Sequence, residues 1–136
     1  EEFALNFPSI PFSRMDSDTT TKRDSHQRIF GEFASEKTRC LIGTQMIARG
    51  FDFHNLQVAA IMNIDSTLNM PDFRAGERTF SLLVQVAGRV GRGDKPAVVV
   101  AQSYNPEMSV FKYAKNHDYD GFASDELSMR EALNYP

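Results

Sequence analysis

Two arginines three residues apart, Arg89 and Arg92, each follow a glycine in the stretch Gln85 to Arg92, Q-V-A-G-R-V-G-R. A guanidinium stays charged throughout the physiological range, and its planar fork matches the oxygens of a phosphate. A glycine just before it removes a Cβ, so backbone and ligand can approach closely. Upstream, Gly43 to Phe53 reads G-T-Q-M-I-A-R-G-F-D-F. Its Gly50-Phe51-Asp52 turn offers a carboxylate that can accept from a sugar hydroxyl or pair with an arginine. Together the two segments carry the groups needed to grip a nucleoside triphosphate from one side. A helix end explains the arginines equally: glycines as caps, cations set against the helix dipole. Gly50-Phe51-Asp52 also reads as an ordinary turn, with glycine at positive φ and Asp52 capping the next element.

A second set suits a nucleic-acid backbone. Gly43, Thr44 and Gln45 follow the apolar run Cys40-Leu41-Ile42, where amides and a hydroxyl can hold a phosphate without reading sequence. A simple strand-to-loop turn has the same letters. Arg14, after the short apolar stretch around Ile10 and Phe12, fits a further backbone-contacting loop or a solvated surface charge. Between the sets, Pro71 to Arg78 puts Asp72, Arg74, Glu77 and Arg78 at a helix start that reads as a solvated face with i,i+4 pairs, and the like-charged pair Arg74 and Arg78 points to another partner for one of them. His26, His54 and His117 are scattered, without metal-ligand spacing. Cys40 is the sole cysteine, which excludes an internal disulfide and a cysteine-cluster zinc site and fits a buried small hydrophobe.

The elements that must hold these residues follow from periodicity. Ile10 and Phe12 enter a strand, and Thr19-Thr20-Thr21 offers helix caps. His26, Ile29, Phe30 and Phe33 fall on one helical face. Cys40 to Ile42 is a strand, Val58 to Ile64 a second that ends at Asp65, and Ala97 to Ala101 a third. Phe73, Phe80, Leu83, Val84 and Ala87 mark a long helix stopping near Gly91, and 107–136 reads as a helical tail with Val110, Phe111 and Ala114 on one face. Strands that alternate with helices and are continuously apolar predict an α/β domain: a mostly parallel sheet with helices on both faces. Ligands of such sheets sit at the carboxyl ends of strands, where Thr44 falls.

At 136 residues, 41% hydrophobic and 24% charged, the chain is the size of one domain, 1–136, with an ordinary globular composition. A net charge of −3 argues against an autonomous nucleic-acid binder. No apolar run has the length of a membrane span, and no signal pattern opens the chain. It starts at Glu1 inside an apolar pattern (Phe3, Leu5, Phe7) and reads as a fragment of a larger chain.

Four stretches carry a resemblance: R-M-D-S-D-T-T (Arg14 to Thr20), L-I-G-T-Q-M-I-A-R-G-F-D-F (Leu41 to Phe53), P-D-F-R-A-G-E-R-T-F (Pro71 to Phe80) and Q-V-A-G-R-V-G-R-G-D (Gln85 to Asp94). The second and fourth resemble motifs V and VI of superfamily 2 helicases. The full wording resembles the bacterial replication-restart helicases from about Phe7 to the C-terminus. That resemblance implies a RecA-like, P-loop NTPase-like helicase C-terminal lobe. It implies an ATP-dependent 3′→5′ DNA helicase acting in primosome assembly and restart of stalled forks. Arg92 would be the arginine finger, Arg89 a γ-phosphate contact and Gln85 a coupling residue. Gly50 and Asp52 would join both arginines at ATP, and Gly43, Thr44, Gln45 and Arg14 would touch the DNA backbone. His54, Val90 and Ala97 depart from the family wording without removing a charge or a phosphate contact.

No G-x-x-x-x-G-K-[ST] and no acidic box of the D-E-x-H kind is present. ATP and Mg²⁺ would therefore be held mainly by the first RecA-like lobe, and this fragment alone would be inactive. Zinc is expected in the full-length protein and not in this chain. The implied partners are forked and single-stranded DNA, the first lobe and other primosome proteins, in the bacterial cytoplasm and without a membrane. The alternatives are a non-hydrolytic helicase-like binding module or a stand-alone nucleotide-binding domain.

Overall fold

The computed structural model describes residues 2–15, 23–48, 55–91 and 96–136. The Thr19-Thr20-Thr21 caps lie outside them. The chain forms two compact units, Glu1–Phe51 and Asp52–Pro136. The four strands among the described residues pair in parallel, two in each unit.

The first unit runs α1 (Glu2–Asn6), β1 (Phe12–Met15), α2 (Arg23–Ala34), β2 (Cys40–Gly43) and a 3₁₀ turn (Gln45–Ala48). The alternating Phe3, Leu5 and Phe7 lie on and just after α1. Phe3 packs its ring against Phe7 and Phe12, with centroids 5.0 and 5.2 Å away. α2 rests on β1 through the face expected from its spacing: Ile29 is buried and His26, Phe30 and Phe33 are half-buried. β1 and β2 pair from Phe12 with Cys40 to Met15 with Gly43. Met15 is fully buried, whereas Cys40 is only half-buried, with its thiol pKa pushed up by that burial.

The second unit contains β3 (Val58–Ile61), α3 (Asp65–Leu68), α4 (Ala75–Ala87), β4 (Val98–Ala101), α5 (Ser109–Lys115) and α6 (Tyr119–Ala132). β3 and β4 pair from Val58 with Val98 to Ile61 with Ala101. A parallel pair needs a crossover, and α4 lies within it. The apolar runs serve two faces. Ile61 and Ala101 lie against the helical core, whereas Val58, Val98 and Val100 are exposed. The core is Ile64, Phe80, Leu83, Val110, Ala114 and Phe122. Phe80 and Phe122 stack at 4.4 Å and 6°. The helical tail thus belongs to the core, because α5 gives it Val110 and Ala114 and α6 gives it Phe122.

Among the boundaries that differ from the sequence expectation, three have a visible cause. β3 ends at Ile61, since Asn63 turns the chain at φ 53. Ile64 and Asp65 are buried beyond that turn, and Asp65 accepts from the Ser103 hydroxyl at 2.8 Å and the Tyr104 amide at 3.0 Å. This buried carboxylate ties the chain after β3 to the chain after β4. Phe73 precedes α4 and is partly exposed, with the Arg74 and Arg130 guanidiniums 5.2 and 5.1 Å from its ring. α4 ends at Ala87 rather than near Gly91.

The like charges at the start of α4 do have a partner. Asp72 accepts from Arg78 at 2.7 Å, lies 3.8 Å from Arg74 and accepts the Arg74 amide at 2.9 Å. That amide, then the two guanidiniums, holds the Asp72 carboxyl below its ordinary range. Arg130 on α6 closes the same end by bridging Glu77 and Glu126 at 3.1 and 3.0 Å.

Candidate functional site

In the first unit, the strand register gathers four of the expected residues at one edge. Met15 stands opposite Gly43, so Arg14 lies one residue from the carboxyl end of β1, beside the end of β2. Arg14 is within β1, not in a loop after it, because Met15 must be in the strand to be buried and paired. Thr44 and Gln45 are exposed, and the Thr44 carbonyl accepts the Ile47 amide at 3.1 Å as the 3₁₀ turn begins. Gly43 has a reason of its own. A Cβ there would collide with the Met15 carbonyl oxygen and crowd Ile47. Gly43→Ala is therefore expected to destabilise the fold by about 1–3 kcal/mol, the usual scale of overpacking. Thr44→Ala, at an exposed position, should change stability by no more than about 0.5 kcal/mol. Chemical denaturation followed by circular dichroism checks both. Wild-type stability for Gly43→Ala would mean that strand packing does not require this glycine.

In the second unit, the arginine segment leaves the end of α4. Gln85 is exposed in the last turn, and Arg89 follows one turn later, half-buried. The Gly88, Arg89 and Val90 amides donate to the Val84, Val86 and Ala87 carbonyls at 2.9, 3.1 and 3.3 Å. The helix thus tightens as it ends. The Gly91 amide then donates to the Leu56 carbonyl at 3.2 Å. Leu56 stands a short way after Asp52 and just before β3. One hydrogen bond thus joins the chain just before β3 to the turn after α4. The junction is at the amino end of the β3–β4 pair, where the Gln57 carbonyl also takes the Val98 amide at 2.8 Å. The arginine turn therefore sits opposite to the strand end that the general rule for α/β sheets favours.

Gly50, Asp52 and Arg92 lie outside the described residues. Among the described residues, no cluster of three or more His, Cys, Asp or Glu is arranged to hold a metal ion, and no helix is long and apolar enough to cross a membrane. Sequence reasoning offered Gly88 and Gly91 alike as helix-cap glycines, and of the two it is Gly91 that takes the left-handed backbone, at φ +79.

The family model described as helicase conserved C-terminal domain matches residues 1–94. The replication restart protein PriA of Bacillus subtilis is 42% identical over all 136 residues, which correspond to 17% of its length. The protein of that name from Synechocystis is 40% identical over 136 residues, 16% of its length. That from Chlamydia pneumoniae is 45% identical over 130 residues, covering 96% of this chain and 17% of the relative. The chain thus spans about a sixth of the length of these relatives. Among solved structures, the C-terminal domain of the DEAD-box protein Dbp5 superposes with a TM-score of 0.59. It covers 88% of this chain and 62% of that one at 17% identity. This is a likeness of fold.

Proposed function

The chain belongs to the helicase conserved C-terminal domain family, and from that premise we propose that it is the second motor lobe of an ATP-dependent 3′→5′ DNA helicase that restarts stalled replication forks. The full-length protein acts in primosome assembly in the bacterial cytoplasm, on forked and single-stranded DNA, with other primosome proteins. Its first RecA-like lobe holds most of the ATP and Mg²⁺, and its zinc lies outside this segment. This lobe supplies a cationic edge and part of the DNA track. Arg92 and Arg89 offset charge on the transferring phosphoryl group, with Gln85 linking that contact to α4. Gly50 and Asp52 complete the nucleotide side. Thr44, Gln45 and Arg14, with the Gly43 backbone, meet DNA phosphates. Opening and closing of the two lobes turn hydrolysis into movement along the strand.

The observation that carries this reading is the family match over residues 1–94, and the Gly91-to-Leu56 hydrogen bond supports it by holding the turn after α4 against the chain entering β3. Strand displacement by the full-length protein tests it. The duplex should open only with hydrolysable ATP, and only when the protein can load on a strand it follows 3′→5′. The isolated 136-residue chain should turn over no ATP even with single-stranded DNA, since its sequence holds no triphosphate cradle. DNA binding by the full-length protein without any ATP turnover would instead favour a non-hydrolytic module.

A further inference from the structure

We propose that Gly91 is a positioning residue that aims the arginine turn through the Leu56 carbonyl. The proposal rests on the reading of Arg89 and Arg92 as nucleotide contacts. The two glycines of G-R-V-G-R are not equivalent. Gly88 has a helical backbone, φ −69, and a Cβ added there would meet nothing nearer than the Val84 carbonyl oxygen at 3.4 Å, an ordinary contact. Gly91 has φ +79, which L side chains rarely adopt, and a Cβ there would face the Ala97 Cβ at 3.2 Å. In that conformation its amide reaches Leu56 at 3.2 Å.

Losing the left-handed turn would redirect the chain at the residue before Arg92 and release the hydrogen bond to Leu56. A guanidinium acting on a transferring phosphate depends on sub-ångström placement, and a displacement of about 1 Å can cost roughly 100-fold in rate. A merely structural glycine would instead show itself in unfolding, with turnover per folded molecule unchanged.

The test uses the full-length protein with Gly91→Ala, Gly91→Asn, Gly91→Asn/Ala97→Gly and Arg92→Ala, measuring kcat, ATP affinity and thermal unfolding together. Gly91→Ala should lower kcat about 10- to 100-fold while ATP affinity changes by less than about twofold. Asparagine tolerates a left-handed φ but keeps a Cβ against Ala97, so Gly91→Asn should lose several-fold, and Ala97→Gly beside it should restore most of that. If Gly91→Ala does not fold, the asparagine pair decides: loss and recovery support positioning, and an unaltered kcat in Gly91→Asn overturns it. Unaltered turnover in Arg92→Ala sinks the underlying nucleotide reading. Turnover lost in Arg92→Ala but kept in the Gly91 variants overturns only the positioning role.

Discussion

Arg92→Ala in the full-length protein is expected to lower DNA-stimulated ATP turnover by about 10³-fold or more, within the range that arginine fingers supply in phosphoryl transfer. Nucleotide affinity should fall little, because the triphosphate cradle belongs to the other lobe in the proposed arrangement. A finger acts on charge that develops as the phosphoryl group moves, so its removal raises the barrier more than it weakens the ground state. Arg92→Lys should not restore activity, since an ammonium is a point charge and cannot present the planar fork. Turnover and ATP affinity measured side by side for the three proteins decide it. Wild-type turnover in the alanine variant would reduce the arginine motif to a way of ending α4.

The second large effect concerns the fold. Phe122→Ala should destabilise the protein by about 3–5 kcal/mol, the usual cost of deleting a buried phenyl ring. Phe122 is buried and stacked on Phe80, so its loss removes contacts from α4 as well as α6 and leaves a void in the core. Leu127→Ala on the same helix should cost no more than about 0.5 kcal/mol, because Leu127 is 61% exposed. Denaturant titrations followed by helical circular dichroism compare the two. Equal costs would mean that α6 is not docked through Phe122.

The local features of this chain were legible because their causes are local. The i, i+3, i+4, i+7 spacing of His26, Ile29, Phe30 and Phe33 is a face of α2 by geometry alone, and Val110, Phe111 and Ala114 form the expected face of α5. The strand after Pro11 and the end of β2 at Gly43 were likewise readable from apolar runs. The Val58 to Ile64 run was only partly readable, because Ile64 is buried from a turn beyond the strand. What remained hidden depends on partners distant in sequence. Asp65 finds Ser103 and Tyr104 across 38 and 39 positions. Arg130 finds Glu77 across 53 positions. For the candidate site, the letters supplied the arginines and the strand-end residues. The Leu56 tether required coordinates, because a main-chain carbonyl has no letter.

The shared family pattern ends at residue 94, yet the core does not. Beyond that point come β4, the only strand paired with β3 among the described residues, and the helices that bring Val110, Ala114 and Phe122 against Phe80 and Leu83. A clone trimmed to the recognisable family segment would therefore strip one strand edge and bare two large apolar side chains to water. The match to the family model is thus shorter than the packed unit, so expression boundaries for this lobe should follow its packing.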